Sequence, residues 1–442
     1  MTALGEISMF TRIALTNDHS DIRFEENGVI GRRSILPGGI RVLSEKVPGQ
    51  RSVSLALWIG AGSRDEAPGH EGSTHFLEHL LFKGTHTRTA REISELGDFL
   101  GGAMNASTAR AYTNYYGRVF ADDLPQLLEL LIDMVTASRL DEADMELERG
   151  VILEELAASE DDVSEVAEQA ILPLVWGQHP LARPVGGSRE AVRALAPEAM
   201  RSHYRANYRS DELVVTAAGD VDHDALCAMV LALLENSGWD LTPGVAPQAR
   251  RRGEDIVYAT GGENMIAHPG RQTAVVVGMP GLTLSDADEQ AAIVLDTVLG
   301  GGQSSRMFQE VREKRGLAYS TYSWMMSNPE GGIFALEAQC QPDVAHEVAH
   351  VMQECLNDVA ANGITEQELL TSFHQRRAQL VFSAETNGFR RSRLGFAELI
   401  RGEIWSIEEN LQAAKSVTCH DVQQLAQRLA AGPRSLVIAG EQ

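Results

Sequence analysis

The sequence has few cysteines and no region typical of a membrane span or an export signal. Its four cysteines lie far apart and form no CxxC pair, which argues against a disulfide framework and against a cysteine zinc site. No stretch reaches the roughly 18 uncharged apolar residues that a transmembrane helix needs. Residues 1–27 lack the basic start and the unbroken apolar segment of a secretory signal. We therefore expect reduced thiols and a cytoplasmic location.

Basic residues are also scarce relative to acidic ones. The chain has 38 Lys and Arg against 62 Asp and Glu, a formal net charge of -24 and a pI near 4.9. Nucleic-acid-binding proteins usually present a basic face, so nucleic acid is not an expected partner. A membrane is not expected either, because the sequence has no stretch long enough to span one. An acidic surface for solubility explains most of this balance, although a cationic substrate is also compatible with it.

Segments of the second half repeat segments of the first half in the same order. RQTAVVVGMPG resembles RSVSLALWIGAG, SLVIAG resembles LVVTAAG, and two further pairs are likewise separated by about 220 residues. A chain of 442 residues also exceeds the roughly 250–300 residues of a single hydrophobic core. We predict an α+β fold of two homologous domains, each a mainly antiparallel sheet packed with helices. The predicted divisions are an N-terminal tail at 1–28, a first domain at 29–236, a Gly/Pro/Arg-rich linker at 237–270 and a second domain at 271–442.

The segment GSTHFLEHLLFKGT predicts a metal-binding helix over about residues 74–82. His75 and His79 are four residues apart, so both imidazoles lie on one face and can reach one ion. Glu78 projects near that face and can accept a proton from a metal-bound water, whose pKa zinc lowers toward roughly 7. A helix with two solvated or core histidines remains the alternative, because HxxEH also arises by composition.

A third ligand is needed, because catalytic zinc sites use three protein ligands and a water. The long helix predicted at about 141–160 offers Glu148 and Glu155, which are seven residues apart and share a face. Glu155 is the candidate ligand, and Glu148 is suited to accept a hydrogen bond from a ligand imidazole. For an arbitrary acidic helix, two solvated glutamates would be the better interpretation.

These motifs resemble the pitrilysin/insulinase superfamily of metallopeptidases, in the branch of the mitochondrial processing peptidase and its bacterial relatives. The resemblance covers about residues 30–440 and rests on HFLEH at 75–79, ERGVILEE at 148–155, NASTARAYTNYY at 105–116 and SSRMFQEVREKRGLAYS at 304–320. It implies a zinc endopeptidase whose first domain binds one Zn²⁺ per chain through His75, His79 and Glu155. Glu78 would be the general base, and Glu148 would support the ligands.

The resemblance implies further site residues outside the zinc motif. Arg312 and Tyr319, seven residues apart in the second domain, would reach the active site, where a phenol O–H can donate to the oxyanion and the arginine can hold a substrate carbonyl. Asn105 would bond the substrate backbone while an extended peptide pairs with its strand. From the residues alone, a charged helix end and an Asn at a strand start explain these three about as well.

The sequence departs from the family pattern at Ala111, where the family commonly has a glutamate, and this puts full activity in question. The second half carries no zinc motif, because Gln379 stands where Glu155 does in the repeat. The glycine-rich loop at 299–306 lacks the GK[ST] of a phosphate-binding loop. Related processing peptidases carry a mobile glycine-rich loop facing substrate here, and a simple tight turn is the alternative.

The family encloses peptides or unfolded segments in a clamshell chamber of four such domains, so a two-domain chain implies a dimer. Because one chain holds both the zinc residues and the Arg/Tyr pair, a homodimer is favoured over a heterodimer with a homologous subunit. Two alternatives remain for function. The chain could be a non-catalytic or partner-dependent subunit of a heterodimeric peptidase, which Ala111 favours, or a zinc- or peptide-binding module without turnover, against which Glu78 argues.

Overall fold

The computed structural model describes residues 12–17 and 20–441, and it has the α+β character expected from the sequence. Its strands are β1 (Arg12–Ala14), β2 (Asp21–Glu26), β3 (Val29–Ile35), β4 (Arg41–Lys46), β5 (Ser52–Ile59), β6 (Asn105–Thr108), β7 (Thr113–Phe120), β8 (Leu213–Gly219), β9 (Gly262–Ala267), β10 (Thr273–Gly281), β11 (Ala318–Asn328), β12 (Gly331–Cys340), β13 (Glu403–Trp405) and β14 (Ser435–Gly440). Its α-helices are α1 (Ser73–Leu80), α2 (Ala90–Phe99), α3 (Leu124–Ala137), α4 (Glu142–Asp161), α5 (Val163–Trp176), α6 (Arg189–Ala194), α7 (Pro197–Asn207), α8 (His223–Leu234), α9 (Glu289–Gly300), α10 (Ala345–Asn362), α11 (Glu366–Ala384), α12 (Asn387–Phe396), α13 (Ile407–Ser416) and α14 (Cys419–Ala431). In the part of the chain described, no helix is both long and apolar enough to cross a membrane.

The chain folds into two compact units, and each unit is assembled from separate stretches of sequence. The first unit comprises the described parts of Met1–Glu154 together with Pro184–Arg251 and Val381–Glu409. The second comprises Glu155–Arg183, Arg252–Leu380 and the described part of Asn410–Gln442. The continuous domain ranges predicted from the sequence therefore differ from these units at 155–183 and 381–409. A hydrophobic pattern predicts that a helix buries one face but does not say on which sheet.

The first unit is built on a seven-stranded sheet with the order β2-β3-β4-β8-β5-β7-β6. All neighbouring strands are antiparallel except β4 and β8, which run parallel. Alternate residues of a strand point to opposite faces, so each face of a sheet presents its own set of side chains. On one face, Trp58 of β5 packs in an apolar cluster with Leu394 of α12.

The second unit repeats this topology with a five-stranded sheet in the order β11-β12-β10-β14-β9. Its strand order matches the β6-β7-β5-β8-β4 part of the first sheet, and its one parallel pair, β14 and β9, occupies the place of β8 and β4. Matching strands are separated by about 220 residues. The duplication predicted from four sequence segments is therefore confirmed by the strand order.

The helices α5 and α12 stand at equivalent places in the repeat, and each belongs to the unit whose sheet comes mainly from the other half of the sequence. In the second unit, α5 contributes Ile171 and Val175 to a buried cluster with Val276 and Ile333 of that sheet. In the first unit, α12 covers the face that carries Trp58. Each sheet thus completes its core with a helix supplied from a distant part of the sequence.

The predicted tail and linker both need correction, because each contains strands. Within the tail at 1–28, β1 pairs with β13 and β2 pairs with β3, while residues 1–11 and 18–19 lie outside the described residues. Within the linker at 237–270, β9 pairs in parallel with β14. These strands lie at sheet edges or in a two-stranded ribbon, so main-chain pairing forms them without an apolar run that sequence inspection would detect.

Candidate metal centre

The eight-residue helix α1 carries the HxxEH motif with its apolar and polar residues on different faces. Phe76, Leu77 and Leu80 are buried, whereas His75, Glu78 and His79 are partly exposed. Apolar residues at this spacing form a stripe that faces the core and leaves the polar residues on the other side. The fold of α1 therefore directs both imidazoles and the intervening carboxylate to one side of the helix.

Helix α4 brings the third candidate ligand to the two histidines. Met145, Glu148 and Ile152 fix this helix through a buried face, and Glu155 follows on an exposed part of it. Ligand atoms of His75, His79 and Glu155 all lie within 4.8 Å of one another, and no other His/Cys/Asp/Glu group among the described residues is so arranged. Two imidazoles and one carboxylate are a donor set found at catalytic zinc sites, so these residues fit the metal that the sequence predicts.

The two imidazoles lie close together in a largely buried environment. Their ring centroids are 4.8 Å apart and the rings are inclined by 79°. Burial, with a smaller contribution from the neighbouring His79, lowers the pKa of His75 to about 4. His75 is therefore neutral at physiological pH, which is the form of imidazole that binds a metal ion.

Glu148 contacts His79, one of the two histidines for which the sequence analysis predicted a carboxylate partner. His79 Nδ1 donates to Glu148 Oε2 at 3.1 Å, and Lys83 Nζ lies 2.5 Å from the other oxygen, Oε1. The Glu148 residue is only 4% exposed. A histidine whose Nδ1–H is held by a carboxylate presents Nε2 to a metal with a fixed ring orientation.

The catalytic-base candidate contacts the strand proposed for substrate binding. Thr108 Oγ1, at the end of β6, donates to Glu78 Oε2 at 2.5 Å. Strand β6 is an edge of the seven-stranded sheet, paired with β7 on one side. Asn105 is exposed at its start, where its side-chain oxygen accepts from Ala106 N at 2.8 Å. Ala111 lies half-buried in the turn that connects β6 to β7.

Arg312 and Tyr319 contact each other in the second unit. Arg312 Nη1 donates to the Tyr319 carbonyl oxygen at 3.1 Å, and the guanidinium lies 4.5 Å from the Tyr319 ring centroid. Tyr319 is 74% exposed, so its hydroxyl is accessible to solvent or substrate. Their contact supports treating them as a pair, whereas their role at the zinc site stays a prediction.

Three residues that the sequence analysis did not single out contact the motif helix or its supports: Glu66, Lys83 and Thr108. Lys83 could be noticed only as a cation four residues after His79, because α1 ends at Leu80 and helical spacing does not extend to Lys83. Glu66 and Thr108 could not, because a loop and a strand bring them to α1 and no spacing rule marks either residue.

Comparison with known proteins finds two peptidase-family matches and several relatives that are named zinc proteases. Residues 41–189 match the insulinase family (peptidase family M16), and residues 194–375 match the family described as the peptidase M16 inactive domain. An uncharacterized zinc protease of Streptomyces coelicolor is 42% identical over 409 residues, which covers 92% of this chain and 89% of that protein. The uncharacterized zinc protease YmxG of Bacillus subtilis is 32% identical over 404 residues, which covers 90% of this chain and 95% of that protein.

Two of the solved structures with this fold illustrate the similarity. The peptidase M16 inactive domain from Pseudomonas fluorescens has a TM-score of 0.83 at 18% identity, covering 93% of this chain and 98% of that one. A protease from Helicobacter pylori has a TM-score of 0.83 at 19% identity, covering 92% and 99%. The duplicated α+β fold with its HxxEH helix thus defines the class of the pitrilysin/insulinase zinc metallopeptidases. This chain belongs to the insulinase family, peptidase family M16.

Proposed function

We propose that this chain is a zinc-dependent endopeptidase that hydrolyses peptides or unfolded segments, with one Zn²⁺ per chain. The observation that carries the proposal is the convergence of the ligand atoms of His75, His79 and Glu155 within 4.8 Å. Glu78 on the same helix adds the carboxylate that a purely structural zinc site does not need. The relatives named zinc proteases support the same activity.

The mechanism assigns a separate task to each residue around the metal. Zinc, when bound, supplies a Lewis acid that acidifies a water and polarises a carbonyl. Glu78 accepts the proton of the attacking water and passes it to the leaving amine. Thr108 orients the Glu78 carboxylate by donating to Oε2, and Glu148 orients the ring of His79. Both supports keep the reacting groups aligned before substrate arrives.

Strand β6 is the proposed binding edge for an extended substrate. A peptide that adds a strand to a sheet edge gains main-chain hydrogen bonds without strict reading of its side chains. Asn105 uses its oxygen within the strand, so its amide group can donate to a peptide carbonyl. Because Thr108 at the other end of β6 contacts Glu78, a peptide lying along this strand passes beside the catalytic base.

Three parts of the proposal rest on family resemblance. Arg312 and Tyr319 would stabilise the oxyanion of the reacting carbonyl, as the exposed Tyr319 hydroxyl allows. The chain would act as a homodimer that encloses its substrate in a chamber, and a heterodimer with a homologous subunit is the alternative. Peptides and unfolded segments would then be cut in preference to folded proteins.

The deciding experiment measures cleavage of a quenched, unstructured peptide by the purified chain alone. We expect cutting that stops on chelation, returns with zinc and falls by roughly 10²–10⁴-fold in Glu78→Gln, because this variant loses the proton acceptor. Metal content should stay at about one zinc per chain in Glu78→Gln, since Glu78 is not a ligand. Glu95→Gln, which changes an exposed glutamate of α2, serves as the control with unchanged activity.

The opposite result would separate the alternative functions. A wild-type chain that holds about one zinc but cuts nothing would contradict autonomous peptidase activity. Ala111→Glu would then be measured under the same conditions. Restored cutting would assign the defect to Ala111, whereas continued inactivity would favour a partner-dependent subunit or a binding module.

A further inference from the structure

Glu66, a buried glutamate in the loop that precedes the HxxEH motif, binds the start of the motif helix. Gly72 is the residue before α1 and has no side chain with which to cap it. Glu66 takes this task, because its Oε2 accepts from Gly72 N at 2.9 Å and its Oε1 accepts from Thr74 N at 2.7 Å. Both carboxylate oxygens are thus bound to backbone N–H groups at the helix start, where an anion is favoured by the helix dipole.

The placement of Glu66 differs from that of the residues that cap the next helix, α2. At α2 the same task falls to Thr89 and Glu92, which form an exposed capping box. Glu66 is instead 4% exposed, and burial raises its pKa to about 7. A solvent-exposed cap would satisfy the N–H groups at the helix start without the unfavourable free energy of burying a carboxylate. The buried arrangement therefore calls for a reason beyond capping.

Glu66 also binds Thr74, the residue next to the first candidate ligand. Thr74, which immediately precedes His75, is fully buried and is fixed at its backbone by Glu66. Its hydroxyl donates to Gly62 O at 3.3 Å and lies 3.2 Å from His203 Nε2. Thr74, the residue that precedes His75, is consequently held both through its backbone N–H and through its side-chain hydroxyl. His79, the other ligand on α1, has its own buried support in Glu148.

We propose that Glu66 is a positioning residue for the metal centre, which sets the location of His75 through the first turn of α1. This inference rests on the proposed function, because it assumes that His75 binds zinc. Glu66 acts through the backbone and does not touch the metal or the substrate. Each histidine of the motif would then be positioned by its own buried glutamate, one through the main chain and one through the side chain.

The test measures metal binding directly, so that it does not depend on turnover. The variants are Glu66→Gln, which keeps the size but loses one acceptor, and Glu66→Asp, which keeps the charge on a shorter side chain. We expect the zinc dissociation constant from chelator competition to rise by roughly 10-fold or more in Glu66→Gln, as for other residues that support metal ligands. The d–d absorption spectrum of the Co²⁺-loaded protein should also change, and Glu66→Asp should recover part of both properties.

The control variant Glu92→Gln removes a capping carboxylate from α2, which carries no ligand, and should leave affinity and spectrum unchanged. A Glu66→Gln protein with lower thermal stability but wild-type affinity and spectrum would reduce Glu66 to a helix cap and overturn the inference. If Glu66→Gln does not fold, wild-type affinity and spectrum in Glu66→Asp overturn it as well. A wild-type chain that binds no zinc would instead contradict the proposed function, and this inference with it.

Discussion

At the scale of single residues, the two carboxylate oxygens of Glu148 face two different donors. One oxygen accepts from His79 Nδ1 at 3.1 Å and the other lies 2.5 Å from Lys83 Nζ. An ionised carboxylate satisfies both donors, whereas an amide has one oxygen and an NH₂ group that can only donate. The identity of this residue is therefore fixed by its two neighbours rather than by its position on a helix.

Glu148→Gln should weaken zinc binding by roughly 10–100-fold, because either His79 or Lys83 then faces a donor in place of an acceptor. The measurement is the zinc dissociation constant by chelator competition. Glu154→Gln on the same helix is the matched control, since Glu154 is exposed. Equal affinities in the two variants would mean that the Glu148 contact does not position His79.

The candidate zinc ligands and Glu148 could be picked out from the sequence because helical spacing places them. His75 and His79 are one turn apart, and Glu148 and Glu155 are two turns apart on a second helix, so two periodicities suffice. The contacts of Glu66 with Gly72 and of Thr108 with Glu78 depend on how a loop and a strand pack against α1. Such tertiary contacts leave no periodic signal in one sequence.

At the scale of elements, the helices α5 and α12, which we call the exchanged helices, each pack against their sheet through a contact between a small residue and a large one. In the first unit, Gly395 of α12 lies against the Trp58 ring, and a Cβ at this position would come within 2.2 Å of that ring. In the second unit the roles are reversed, because Gly278 of β10 lies against Ile171 of α5, 2.5 Å from a would-be Cβ. Both contacts bring a helix backbone or a sheet backbone close to a bulky partner.

Gly395→Ala should lower the free energy of unfolding by about 1–3 kcal/mol, because the added methyl group overlaps the buried Trp58 ring. Urea denaturation measures the change. Gly388→Ala is the control on the same helix, where a Cβ meets nothing within 4 Å. There we expect a gain of about 0.4–1 kcal/mol from lower chain entropy in the unfolded state. A Gly395→Ala protein as stable as Gly388→Ala would contradict the close fit.

Most elements could be predicted from the sequence, but the partners of some could not. The 105–120 hairpin and the long helix at 142–161 carry their own patterns of alternation and periodicity. The strands β1 and β9 are short or rich in polar residues, and they form because a partner strand is present. The assignment of α5 and α12 to their sheets depends on the small-to-large contacts just described.

At the scale of the whole molecule, the two units share a topology but not their chemistry. The sheet of the second unit buries Glu337, which is 0% exposed and accepts from Trp324 Nε1 at 2.9 Å. Glu168 of α5 accepts from Tyr322 Oη at 3.3 Å nearby. Burial, together with the charge of Glu168, raises the pKa of Glu337 to about 7. The second unit therefore holds a carboxyl group whose ionised form is disfavoured by burial near neutral pH.

Glu337 should contribute a loss of stability as the pH rises from 5 to 8. The folded-state pKa of Glu337 lies above the ordinary value of 4.5, so in this window Glu337 binds more protons in the folded state than in the unfolded state. Buried histidines such as His203 and His223, whose pKa values burial lowers to about 4, contribute with the opposite sign, so the Glu337 share is read from the difference between variant and wild type. We expect Glu337→Gln, which keeps an acceptor for Trp324, to reduce the loss by about 1–3 kcal/mol. Denaturant unfolding at the two pH values measures it. The exposed control Glu347→Gln should keep the wild-type pH dependence, and an equal dependence in Glu337→Gln would contradict the assignment.

The placement of α5 and α12 also affects the order in which the two units can fold during translation. During translation, the strands of the first sheet leave the ribosome long before Asn387–Phe396 of α12 has been synthesised. The nascent chain therefore carries the Trp58 face of that sheet without its covering helix until residue 396 has emerged. Completion of the first unit is delayed until residues 381–409 have been synthesised, and a gene cut at residues 237–270 would leave each fragment without a helix that its core requires.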